Sequence, residues 1–227
     1  MARLSSHVIH PANDEMESDD IVYYWQPSEP KYGFLSMWYQ SPFQDVYDVD
    51  IVYPSAQHYF LYHKALLFGE RDLANAILGT DTADEACNVA SNMENYDHDV
   101  WIRERERIAF DANWHKFTAP TVHCECCVRR YEEQGHRPPQ FKDSLLATGN
   151  RQIIEASPSD RFWGSGYGSG IAWNEREDWG VNMMGIILMR VRDRIRRDEE
   201  YRRRMAVEEE EQEQEGKAKE EGMETED

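Results

Sequence analysis

No stretch of this chain is long and apolar enough to cross a bilayer. The longest charge-free apolar run, Trp179 to Met189, falls far short of the roughly 20 residues that a spanning helix needs. The start, Met1–Asp20, is polar and acidic and lacks the basic-then-apolar layout of a secretory leader. Cysteine is scarce: four occur in 227 residues, three of them crowded at 124, 126 and 127. That is no disulfide framework, so reduced thiols in a soluble intracellular protein, cytoplasmic or nuclear, are expected. An excess of positive charge is missing too. Of the formal charge of −19, residues 198–227 hold 14 acidic and 5 basic residues and residues 1–20 hold 5 and 1, which leaves −6 for residues 21–197. A protein that grips a run of phosphates by charge alone is thereby disfavoured. No GK[ST] follows any glycine-rich stretch, and no GxGxxG sits between a strand and a helix, so neither a P-loop nor a dinucleotide fold is indicated.

What is present suffices for one core: 40% hydrophobic residues, 12% aromatic. The fold class expected is α+β, a mainly helical single domain over 21–197 with a few short strands, flanked by acidic tails at 1–20 and 198–227, the second helical or disordered. Ile21 to Trp25, Val49 to Tyr53 and Arg151 to Ala156 read as strands from their β-branched and aromatic content. Tyr53-Pro54 turns the chain away from helix, Ser55 is a good N-cap and Gly69 a good stop, so 56–68 reads as one helix. Gln57, Leu61, Lys64 and Phe68 share one stripe of it. Two readings fit that mixture: Lys64 snorkels to water, or the helix lines a pocket with a polar task. Further helices are expected over 71–78, from the capping box Thr82–Glu85, from Asp97 or Asp99 to about Phe117, over 141–148, and after Asn182.

Residues 118–140 read as an inserted loop. Its His123-Cys124-Glu125-Cys126-Cys127 and His136 lack the paired spacing of a zinc site, and no metal or other cofactor is expected. The stretch Ser157 to Gly168 places Asp160 and Arg161 before Trp163 and supplies glycines at 164, 166 and 168. Such glycines free the backbone to wrap an anion or a sugar.

Five ordered motifs carry a resemblance: Gly33-x-x-Ser36; Tyr53-Pro-Ser-x-x-His-Tyr-Phe60 with Lys64-Ala65; Leu145-Leu-Ala-Thr-Gly149; Trp163-Gly-x-Gly166; and Asn182-x-x-Gly-x-x-Leu-Met-x-Val-Arg192. Together they resemble the NADAR family, the YbiA-like riboflavin-intermediate N-glycosidases, over roughly residues 22–196. The resemblance implies a YbiA-like fold and hydrolysis of the bond between a base and a phosphorylated ribose. The expected substrates are ADP-ribosylated guanine or a phosphoribosyl-pyrimidine of riboflavin biosynthesis, with nucleic acid a partner only as modified substrate and no membrane. It further implies Lys64, Asp160 and Gln57 as the residues of the chemistry. Gly33, Ser36, His58, Tyr59, Arg161, Trp163, Gly164, Gly166 and Asn182 would bind substrate. Lys64 would pair a phosphate or attack C1′ of an opened ribose to form an imine. Two positions depart from the family: Gln57 stands where it usually has Glu, and Met37 where it tends towards Asn. An amide cannot accept a proton as a carboxylate does. The alternative is therefore a catalytically impaired module that binds ADP-ribose or a related nucleotide.

Overall fold

The computed structural model describes residues 20–45, 48, 50–119 and 141–224. The cysteine cluster and nearly all of the expected insertion lie outside them, as does residues 1–19 of the N-terminal tail. The described chain is mainly helical around a two-stranded sheet. Strand β1 (Ile21–Tyr24) pairs in parallel with β2 (Gln152–Glu155), in a register that sets Ile21 against Gln152 and Tyr24 against Glu155. Parallel strands cannot be joined by a tight turn, and among the described residues five α-helices and a short 3-10 helix occupy the crossover between them.

Helices α1 (Ala56–Leu67), α2 (Arg71–Leu78), α3 (Ala83–Ala90) and α4 (His98–Thr118) pack as a cluster centred on α1. Ser55 caps α1 by accepting from the His58 N–H, and Thr82 with Glu85 closes the capping box of α3. Helix α1 buries Ala56, His58, Tyr59, Phe60, Leu61, Tyr62 and Ala65, more than one face of a helix holds, because neighbours cover it on several sides. Tyr53, Tyr59 and His63 form a close aromatic group, with ring centroids 4.8 Å apart for Tyr53–Tyr59 and 4.1 Å for Tyr59–His63. Burial there pulls His63 down to about 4. Over the described residues 50–53, the strand expected at 49–53 does not form. Phe43 and Tyr53 make an isolated antiparallel bridge, and Pro54 and Ser55 turn the chain directly into α1.

Helix α5 (Phe141–Leu146) leads into β2, a one-turn helix α6 (Ser169–Ala172) follows it, and α7 (Met183–Glu224) closes the fold. Met184, Ile187, Leu188, Val191 and Ile195 form the buried stripe of α7, which packs on β2 and α4. Arginines bordering that stripe reach over the end of α5. Arg192 donates to the Thr148 hydroxyl at 2.8 Å and the Arg151 carbonyl at 2.9 Å, and Arg196 donates to the Gly149 carbonyl at 2.6 Å. These cations sit where the helix dipole presents its negative end. Gly185 is where α7 meets the sheet. A Cβ there would collide with the Ile153 carbonyl and with the Asn182 amide, so only glycine permits the approach.

Candidate active site

The C-terminal ends of the two strands open into a cleft of about 210 Å³. Tyr24 closes β1 and Glu155 closes β2, so the parallel register delivers both side chains to the same wall. The next wall comes from the chain after β2, where Asp160 makes a tight turn. Its Oδ1 accepts from the N–H of Phe162 at 2.9 Å and of Trp163 at 2.7 Å. Trp163 then enters the cleft and stands edge-on to Phe60 of α1, with centroids 5.6 Å apart. Ser36, Met37 and Trp38 form the facing side, Gln57 comes from the first turn of α1, and Met184 from the start of α7.

Glu155 dominates the electrostatics. Burial pushes its carboxyl up to about 7, and the negative charge of Asp160 adds to the shift. Its Oε2 is shielded from solvent and finds no hydrogen-bond partner among the described residues. The Tyr24 hydroxyl is in the same condition, and burial, with the Glu155 charge, holds its pKa well above the ordinary tyrosine value.

Of the residues expected to form the site, Ser36, Gln57, Asp160 and Trp163 line the cleft; the others do not. Lys64 stands behind the wall. Its Nζ lies 4.8 Å from the centre of the Trp101 ring and 4.9 Å from that of Tyr96, and Trp101 packs edge-on against Phe60. Burial lowers its pKa, which favours the neutral amine a nucleophile needs. The Gln57 amide donates to Cys87 Sγ at 3.4 Å, so Gln57 is tied to α3 as well as facing the cleft. His58 is a structural hub. The Thr80 hydroxyl donates to the Ile77 carbonyl, so it accepts from His58 Nε2, and Nδ1 is left to accept from the Ser55 hydroxyl at 2.8 Å. Tyr59 is packed between Phe43, Tyr53, His63 and His115.

Arg161 is exposed and engaged with Asp178: its guanidinium donates to the Asp178 carbonyl at 2.6 Å and pairs with the carboxylate at 3.2 Å. Gly166 takes a positive φ of 81° beneath the Arg161 stem. The loop after β2 spends much of its backbone on itself. Ser165 N–H goes to the Glu155 carbonyl, Tyr167 N–H goes to the Ser165 hydroxyl, and the carbonyls of Phe162, Trp163 and Gly164 accept from Met183, Met184 and Asn182. Gly164 allows that return, since a Cβ there would lie 2.7 Å from the Glu155 carbonyl oxygen. Asn182 directly precedes α7, and its carbonyl accepts from Ile186 N–H, but it adopts φ 53° and turns its side chain to β2, accepting from Glu155 N–H and donating to the Ile153 carbonyl, both at 2.9 Å. It therefore holds the backbone that carries Glu155. Gly33 turns the chain tightly under Pro27 ahead of Ser36.

Lys116 of α4 supports the facing wall from behind. Fully buried, it donates from Nζ to the Ser36 carbonyl at 2.6 Å, and burial lowers its pKa to about 7. The unfolded chain therefore binds more protons than the folded one between about pH 7 and lysine's ordinary value near 10, and stability rises with pH across that window. The denaturation midpoint in urea is expected to climb from pH 7 to 9, and Lys116→Met to flatten that climb. An equal slope in both proteins would refute this account of the buried amine.

Tyr24, Trp38, Phe60, Glu155 and Met184 line the cleft without having been anticipated as site residues.

The NADAR domain pattern matches residues 23–196, and the chain belongs to that family. It is 28% identical over 184 residues to an N-glycosidase of Acanthamoeba polyphaga mimivirus, covering 78% of this chain and 98% of that protein. To a riboflavin biosynthesis protein of Vibrio vulnificus it is 25% identical, covering 79% of this chain and 40% of that longer protein. The NMR structure of Escherichia coli YbiA superposes with a TM-score of 0.56 at 20% identity, covering 81% of this chain and 89% of the other, so the fold is YbiA-like. Among the described residues, no helix is long and apolar enough to cross a membrane.

Proposed function

We propose that the protein is an N-glycosidase that hydrolyses the bond between a base and a phosphorylated ribose, with Glu155 as the proton-carrying group and Asp160 as the anion facing C1′. One observation carries this reading: a shielded carboxyl, raised to about 7, shares a small cleft with a second carboxyl in a family that includes a named N-glycosidase. A carboxyl that burial keeps protonated, beside a second carboxyl in the same cleft, allows acid and electrostatic work to be divided between the two. Protonated Glu155 donates to the leaving base as the C1′–N bond breaks and its electron pair moves to nitrogen. The oxocarbenium charge that develops on the ribose faces Asp160. Water adds to C1′ and yields its proton to Glu155, which restores the acid. Trp163, Phe60 and Trp38 offer ring faces and edges to the base.

The substrates proposed are ADP-ribosylated guanine or a ribosylamino-pyrimidine phosphate. The relatives' names support the general class, and the two candidate substrates share one feature, a base joined to a ribose. The competing reading, a binding-only module, draws on Gln57, an amide lining the same cleft. Incubation with both substrates separates the two. Release of base by the protein with Gln57 in place is expected, with Gln57→Glu altering the rate by less than about tenfold, since Glu155 already carries the proton. Binding without release, cured by Gln57→Glu, would establish the binding module instead.

A further inference from the structure

We infer that Tyr24 is a specificity residue that reads the 2′-hydroxyl of the ribose held in this cleft. The inference rests on the glycosidic reading of the site. Its own observations are the strand register and two orphaned polar atoms. Tyr24 and Glu155 are paired positions on adjacent parallel strands, so both side chains leave the same face of the sheet, with backbones about 4.8 Å apart. Tyr24 is 1% exposed, and neither its hydroxyl nor Glu155 Oε2 finds a hydrogen-bond partner among the described residues, although both side chains line the cleft.

A buried hydroxyl left without a partner is costly, and two neighbouring orphans in one small cleft mark a place where a polar ligand completes the bonding. Tyrosine offers one donor and an acceptor, and a carboxyl accepts or, when protonated, donates. A sugar hydroxyl, which donates and accepts at one atom, complements that pair. The position along the sugar follows from the chemistry. Glu155 must serve the bond at C1′, and the residue one strand away reaches the adjoining carbon. The base is directed elsewhere, towards Trp163, Phe60 and Trp38. A site built to hydrogen-bond a substrate hydroxyl rejects the analogue that lacks it, because its own polar groups are then left unpaired.

The test uses ribose 5-phosphate and 2-deoxyribose 5-phosphate, identical apart from that hydroxyl, titrated into the full chain and into Tyr24→Phe and followed by NMR. The full chain is expected to prefer the ribose compound by about tenfold or more, and Tyr24→Phe to bring the ratio close to one. Tyr24→Phe removes a single oxygen, and an unchanged thermal unfolding midpoint establishes that the fold is intact. If that midpoint falls, the ratio is read at a temperature below the variant's unfolding transition, with the same expected loss of preference. Equal binding of the two sugars by the full chain, binding of neither, or a preference that survives the substitution in the folded variant overturns the inference. A preference for ribose in a protein that releases no base from any ribosylated substrate would uphold this inference and remove the enzymatic reading.

Discussion

Glu155→Gln is expected to lower the rate of base release by about 10² to 10⁴ while leaving ligand binding within a few-fold. The amide keeps the size of the side chain and loses its transferable proton. In the unsubstituted protein the rate should decline above about pH 7, where the general acid loses that proton, and the decline should vanish from the residual activity of the variant. The substitution moves stability the other way. The folded value of Glu155 is raised above the ordinary 4.5, so the native state binds more protons than the unfolded one between about pH 4.5 and 7, and stability falls with pH across that window. Above it, the charged, shielded carboxylate is a standing penalty that glutamine removes. At pH 8 Glu155→Gln should therefore unfold at a higher temperature than the parent. Lost activity with gained stability is a combination that a damaged fold cannot imitate. A variant that keeps full activity would remove Glu155 from the mechanism.

Gly185→Ala should be among the most destabilising single-methyl changes in the described fold, costing about 3 kcal/mol or more. The added Cβ would meet a backbone carbonyl on β2 and the Asn182 amide, and neither is the far end of a flexible side chain that can swing away. Relief requires α7 to lift from the sheet. That movement also strains the hydrogen bonds by which Asn182 holds the Ile153 carbonyl and the Glu155 N–H. Thermal unfolding and activity should fall together, unlike the Glu155 variant, and a Tm within 2 °C of the parent would show that the helix and strand adjust without cost.

The helices were legible because their ends carry local chemistry. The Ser55 cap, the Thr82–Glu85 capping box and the Asp97 cap are each completed by a hydrogen bond within a few residues. Of the residues that line the cleft, Asp160 and Trp163 were legible from a loop with its own turn signals, and Ser36 and Gln57 from the ordered motifs. Glu155 was not. In Arg151-Gln-Ile-Ile-Glu-Ala156 it occupies the ordinary place of a solvated strand end, and its burial arises from β1 and α7, elements remote in sequence. The stripe of Gln57, Leu61, Lys64 and Phe68 misleads for the same reason. A helix covered on several sides distributes one stripe among different neighbours: Gln57 to the cleft, Leu61 to the core, Lys64 to Trp101 and Tyr96, and Phe68 to Tyr96. Asn182 followed the statistics of a capping residue, whereas its positive φ turns the amide to the sheet instead.

The small parallel sheet also sets an order of events in time. Tyr24 and Glu155 are brought together across about 130 residues of chain, and that long-range closure must follow the local helices that form within the crossover. During synthesis, α1 to α4 can collapse on one another while β1 still lacks its partner strand. The cleft therefore cannot exist until β2 has left the ribosome and α7 has covered it, so a nascent or prematurely ended chain lacks the wall that carries Glu155.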